Sequence, residues 1–176
     1  MDPYERVSRA EIYRNPWVAL EVHEIVHPTG VAGEHALIVT PPASAALVLD
    51  GDAFVLAVQP RFGARSHVIE IVKGGADEGE SALACAQREL REELGLEAET
   101  WESLGICWEI PSIVAHPVAI FLASGVRDVA PAQEAVERVE RLRLPVDEAY
   151  AAARDGRIDD AVTLAALLRY RLRAAT

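Results

Sequence analysis

Through its first half the chain spaces its apolar residues with the period of strands. "WVALEVHEIV" alternates, "HALIVTP" and "AALVLD" are short apolar runs, and Asp50-Gly51 stands as a hairpin signal before "AFVLAV". "HVIEIV" predicts a further strand, ending at Lys73 and Gly74. From Ser81 the period lengthens. Ala82, Ala86, Leu90 and Leu94 recur every four residues, Ser81 offers an N-cap and Gly95 a stop, which predicts a helix. Strands are expected at "SLGICWEI", "VAIFLASGV" and "VERLRL", with Pro111 and Pro117 punctuating the loop between the first two. "VDEAYAAARDG" predicts a short helix with Asp147 as N-cap and Gly156 as stop, and "DDAVTLAALLRYRLRAA" a longer amphipathic one. Strands, helix, strands and then helices make an α+β or mixed α/β arrangement around one sheet. No repeat, linker or low-complexity tract interrupts it, so residues 1–176 read as one domain.

Composition narrows the classes. With 51% hydrophobic and 26% charged residues, the chain is set to fold around a core rather than stay disordered. No apolar run approaches the roughly 18 residues of a membrane span. The N-terminal "MDPYERVSRAEIYRN" has no apolar stretch of the signal-peptide kind, so neither a membrane segment nor a leader is expected. Cys85 and Cys107 lack metal-type spacing and read as two reduced, packed thiols, which points to the cytoplasm. A net charge of −11 argues against a nucleic-acid partner. An acidic protein still binds a polyphosphate when divalent cations lie between them.

The helix after Ser81 carries Glu89, Glu92 and Glu93. With Glu89 at zero and about 100° per residue, Glu93 falls near +40°, Glu92 near −60° and Leu90 near +100°. The carboxylates therefore share an arc of about 100° beside the apolar face, where they repel one another. Either the arc is a solvated face, or it holds a hard cation that cancels the repulsion.

Spacing separates the two. Gly74, Glu80, Arg88-Glu89-Leu90, Glu92-Glu93 and Gly95-Leu96 stand at intervals that resemble the Nudix box at all nine of its specified positions. The chain is thereby identified as a member of the Nudix hydrolase superfamily. The resemblance implies an α/β/α sandwich with a mixed β-sheet and an N-terminal antiparallel strand region, strands of residues 1–42 preceding a core of residues 43–176. It implies Mg²⁺, or Mn²⁺, held by Glu89, Glu92 and Glu93 with help from the backbone at Lys73 or Gly74. Glu80 and Arg88 take supporting roles. The implied reaction is metal-assisted hydrolysis of a nucleoside diphosphate linked to another group. A non-catalytic nucleotide sensor on the same fold is the competing reading. A retired site would lose its ligand carboxylates first, and here all are present.

Beyond the box the chain resembles the ADP-ribose pyrophosphatase branch, through "YRNPWVALEVHEI", "FLASG", "GRIDDAVTLAAL" and Pro111 about fifteen residues past Leu96. ADP-ribose, cleaved to AMP and ribose 5-phosphate, is the substrate this implies, and a homodimer the assembly. Three departures leave NADH, diadenosine diphosphate and nucleotide sugars as alternatives. "VKGG" replaces the branch's Pro-Ala-Gly, with a lysine also found in the related group that cleaves ADP-containing compounds. Ala115-His116 stands where a Ser/Thr-Glu pair is usual, and "PAQEAVERVERL" is only sparsely acidic. By the same resemblance Arg61 is a substrate contact or a surface ion pair. Glu70 is a substrate or metal contact, or a strand residue paired with a base. Trp17 stacks on adenine, or packs in an interface or core. The general base is expected in the loop before the last strand, at Glu137 in preference to Glu134.

Overall fold

In the computed structural model, which describes residues 3–130 and 139–173, the charged N-terminal segment is itself a strand. β1 (Glu5–Arg14) runs antiparallel to β2 (Ala19–Val26), and β2 antiparallel to β3 (Ala32–Val39). Two register shifts in the β1–β2 pairing, at Arg6/Ser8 and Glu11/Tyr13, break the alternation that would have marked β1 in the sequence. One face of β2 buries Ala19, Glu21, His23 and Ile25. Glu21 is paired there with Arg9 at 2.6 Å and with His23 at 2.9 Å, so this buried acid has its counter-charge. A two-residue strand, β9 (Val114–Ala115), adds parallel to β3. These strands form one compact unit, Met1–Pro42 with Trp108–Pro117.

The second unit comprises Ala43–Cys107 and Val118–Thr176. Its centre is β4 (Ala43–Asp50), whose first six residues are all buried, the mark of a strand covered on both faces. β5 (Ala53–Arg61) follows through the Asp-Gly turn and pairs antiparallel to β4. The expected single strand over "HVIEIV" is two. β6 (Ser66–Glu70) pairs with β5, and β7 (Val72–Gly75) pairs with β4. The chain changes partner at Ile71, whose N–H leaves the ladder to donate to Thr163 Oγ1 at 2.9 Å.

Helix α1 (Ala82–Leu94) leads into β8 (Leu96–Trp108), longer than expected because its first half intersperses acidic residues with Leu96, Ala98 and Trp101, and so shows no apolar run. β10 (Pro117–Asp128) runs parallel to β4, and β11 (Glu140–Pro145) antiparallel to β5, giving the mixed order β11-β5-β4-β10-β8. The chain ends in α2 (Val146–Asp155) and α3 (Ala161–Arg173). Asp147 does not cap α2. The chain turns from Pro145 directly into the helix, and Asp147 lies in the first turn, where its charge suits the helix dipole.

Alternation along β4 separates two cores. Ala45 and Leu47 pack with Phe54, Ile120, Ala149, Val162 and Leu167, beneath α2 and α3. Ala46 and Val48 pack with Val72, Leu90 and Leu94, beneath α1. Helices therefore cover both faces of a mixed sheet, the expected α/β/α architecture.

Candidate active site on helix α1

Both ends of α1 are set locally. Ser81 Oγ accepts from Ala84 N–H at 3.2 Å, and Gly95 adopts φ 54°, ψ 44°, with its N–H turned back to Arg91 and Leu90 carbonyls. Between these caps the helix buries Cys85, Ala86, Leu90 and Leu94, and with them Glu93, which is only 5% exposed.

Arg88 organises the acids around it. Its Nε and Nη2 donate to the two oxygens of Glu80 at 3.0 Å each, and its Nη1 to Glu89 at 2.6 Å and Glu92 at 2.9 Å. Nη2 also reaches the Gly75 carbonyl at 2.8 Å, tying the helix to the end of β7. A planar fork of five donors suits this task where a lysine would not. The Glu80 hydrogen bond foremost, with those to Glu89 and Glu92, raises the pKa of Arg88 against the cost of desolvation. Reciprocally, Arg88 and the Asp77 N–H hold Glu80 below the usual carboxylate range. The intervals Gly74 to Glu80 to Arg88 are thus those of a loop closed on the helix by one guanidinium.

Gly74 is required by closeness. A Cβ there would overlap the carboxylate of Glu89, which lies against the β7 backbone. Beside it, Cys85 Sγ approaches the Gly74 carbonyl at 3.5 Å, and burial pushes the thiol up to about 11. Cys85 is a packed thiol.

A second charged group lies on β5, β6, β7 and the start of α3. Arg61 Nε donates to Glu70 Oε1 at 2.6 Å, and Glu70 is 1% exposed. Lys73 Nζ stands 3.5 Å from Glu70 and 3.0 Å from Asp160. Burial works against the charge of Arg61, but the Glu70 hydrogen bond and the fields of Glu70, Glu93 and Asp160 raise its pKa. Burial likewise opposes ionisation of Asp160, yet Lys73 and Thr163 hold its carboxyl below the ordinary range. Asp160 and Thr163 were not expected from the sequence. Their signal is the interval Asp-x-x-Thr ahead of an apolar helix, a capping pattern.

The structure therefore brings Glu80, Glu89 and Glu92 together on Arg88, and Arg61 together with Glu70 and Lys73. Trp17, 74% exposed between β1 and β2, and Pro111, in the turn before β9, belong to the other unit. His116 is in that unit too, bonded to Thr40. Glu134 and Glu137 lie outside the described residues. Among the described residues no three His, Cys, Asp or Glu side chains converge closely enough to enclose an ion. Glu89 and Glu92 are instead drawn onto Arg88. The donor set fits Mg²⁺ in kind, with carboxylates on one face of a helix, and in packing, with Gly74 leaving room for one of them.

The NUDIX domain model matches residues 39–167 of this chain. Over 172 residues the chain is 26% identical to the methanol dehydrogenase activator of Bacillus methanolicus, covering 96% of this chain and 93% of that protein. It is 25% identical, over the same length and shares, to the ADP-ribose pyrophosphatase of Bacillus subtilis. The crystal structure of an ADP compounds hydrolase superposes with a TM-score of 0.87 at 21% identity, covering 99% of this chain and 96% of that one. At that identity the likeness is one of fold.

Proposed function

Since the chain belongs to the NUDIX domain family, we propose that it hydrolyses the pyrophosphate bond of an ADP-linked metabolite, with ADP-ribose first among the substrates. The observation that carries this reading is the Arg88-centred set of Glu80, Glu89 and Glu92 on α1, with Glu89 seated over Gly74. The likeness to an ADP-ribose pyrophosphatase along 96% of the chain supports the choice of substrate. Lys73 ahead of Gly74 favours a second substrate class, other ADP-containing compounds, in keeping with the fold shared with an ADP compounds hydrolase.

In this reading Glu89, Glu92 and Glu93, with the backbone carbonyl of Lys73 or Gly74, would hold Mg²⁺ or Mn²⁺. A bound divalent cation supplies charge neutralisation at the pyrophosphate and a lower pKa for the attacking water. Arg88 holds Glu89 and Glu92 in place through a hydrogen bond to each. Arg61, anchored on Glu70, presents the rest of its guanidinium to a phosphate or sugar. Glu137 takes the proton of the water, a phosphorus–oxygen bond forms, and the bridging oxygen leaves on the other phosphate. ADP-ribose then yields AMP and ribose 5-phosphate. Trp17 offers an aromatic face to adenine in a homodimer. Two free thiols suit a cytoplasmic protein.

The test is a panel of ADP-ribose, NADH, diadenosine diphosphate, ADP-glucose and GDP-mannose with Mg²⁺, products resolved by chromatography. ADP-ribose is expected to be cleaved fastest, and excess EDTA to abolish turnover. Undiminished hydrolysis in EDTA would refute the metal mechanism.

A further inference from the structure

We propose that Asp160, at the start of α3, is a positioning residue that assigns Arg61 and Lys73 to separate carboxylates and so holds Arg61 in place. Only the kinetic consequence rests on the hydrolase reading. The charged groups stand in a row. Arg61 Nε is 2.6 Å from Glu70 Oε1, Lys73 Nζ is 3.5 Å from Glu70 Oε2, and the same Nζ is 3.0 Å from Asp160 Oδ1. The side chains of Glu70, Lys73 and Asp160 are 1%, 15% and 11% exposed, so water cannot readily replace a lost partner. Glu70 and Asp160 compete for the ammonium, and the shorter distance belongs to Asp160. Lys73 being drawn that way, Glu70 is left to accept a short charged hydrogen bond from Arg61.

Asp160 cannot drift toward Lys73, because it is fixed from the other side. Its Oδ2 accepts from Thr163 N–H at 2.8 Å and Thr163 Oγ1–H at 2.7 Å. The Thr163 oxygen accepts in turn from the N–H of Ile71, the residue next to Glu70. Helix α3 thus grips the point at which β6 gives way to β7. Without the charge of Asp160 the pull on the ammonium shifts to Glu70, where Lys73 then contends with Arg61 for one carboxylate.

Asp160→Asn removes the charge and keeps the cap, since asparagine serves as well as aspartate there. In the full chain, the Nε–H signal of Arg61 in a ¹⁵N–¹H spectrum, identified by its loss in Arg61→Lys, reports its bond to Glu70. In Asp160→Asn this proton is expected to exchange with water at least about tenfold faster, the equivalent of losing a hydrogen bond to a charged group. The Nε–H of Arg88, bonded to Glu80 at 3.0 Å, is expected to keep its rate. Unchanged exchange at Arg61, or equal acceleration at Arg61 and Arg88, would overturn the proposal whatever the activity. Asp160→Ser, which also caps, serves should the amide disturb folding. With a cleaved substrate, KM is expected to rise roughly tenfold while kcat holds within about threefold, as for lost uniform binding. Faster exchange with an unaltered KM would uphold the positioning by Asp160 and remove Arg61 from the substrate contacts.

Discussion

Gly74 shows how little separates a fold requirement from a functional one. The atom that a Cβ would strike is the end of the flexible Glu89 side chain, not backbone. Gly74→Ala should therefore fold with an unfolding midpoint near or modestly below that of the parent, because the gain from alanine in a strand is offset by the Glu89–Arg88 bond that must shift. Its kcat should fall by about 10²-fold, the effect of displacing a reacting group by an ångström. Calorimetry beside steady-state assays would show the split, and activity within threefold of the parent would deny Glu89 its role. Cys85 supports a prediction of a different kind. Its thiol, raised from 9.0 to about 11 by burial, stays protonated in the fold after an unfolded thiol has ionised. The folded state then binds the extra proton, so Cys85 subtracts from stability as pH climbs from 9 to 11 and has no such effect below 9. Thiol titration at pH 8 should label the half-buried Cys107 and spare Cys85 until denaturant is added. The box residues could be placed from the sequence because their intervals are short and helical. Asp160 could not, since its partner Lys73 lies 87 residues away and only the folded sheet joins them.

The elements best legible in the sequence were those whose instructions are local. Helix α1 begins at its serine and ends at its glycine, and β4 and β5 follow the apolar runs and the Asp-Gly turn. Elements set by distant contacts carry no such local mark. "HVIEIV" is broken by a hydrogen bond from α3, and β1 is hidden by its bulges. Within α1 the balance of charge rests on Arg88, whose side chain is 27% exposed and serves three carboxylates. Arg88→Met should lower stability by roughly 2 kcal/mol or more, since charged hydrogen bonds are lost and the acids repel without relief. Saturating Mg²⁺ should recover part of that loss, because a cation among the same acids restores the missing charge. Thermal unfolding with EDTA and with Mg²⁺ measures both. A variant no less stable in EDTA than the parent would show that Arg88 neutralises nothing that matters to the fold.

At the scale of the whole molecule, β1 is the conspicuous strand. All ten of its residues are exposed, Val7, Ile12 and Tyr13 among them, and Trp17 follows in the turn. A long strand with apolar residues on an open edge is a surface that proteins cover or blunt. The occupant we expect is a second copy of the chain, giving a two-fold dimer. Sedimentation at micromolar concentration should show the dimer, and Ile12→Glu should shift it toward monomer. A monomeric parent would leave Trp17 without its role beside adenine.

The bond from Ile71 to Thr163 spans 92 residues of sequence. During synthesis the box, its caps and its glycine emerge well before the segment that grips them from behind. Chains fold from the N-terminus as they are made, and long-range closures come late. The site is consequently completed last: a ribosome stalled short of α3 would have made every box carboxylate and still lack the residue that holds Lys73.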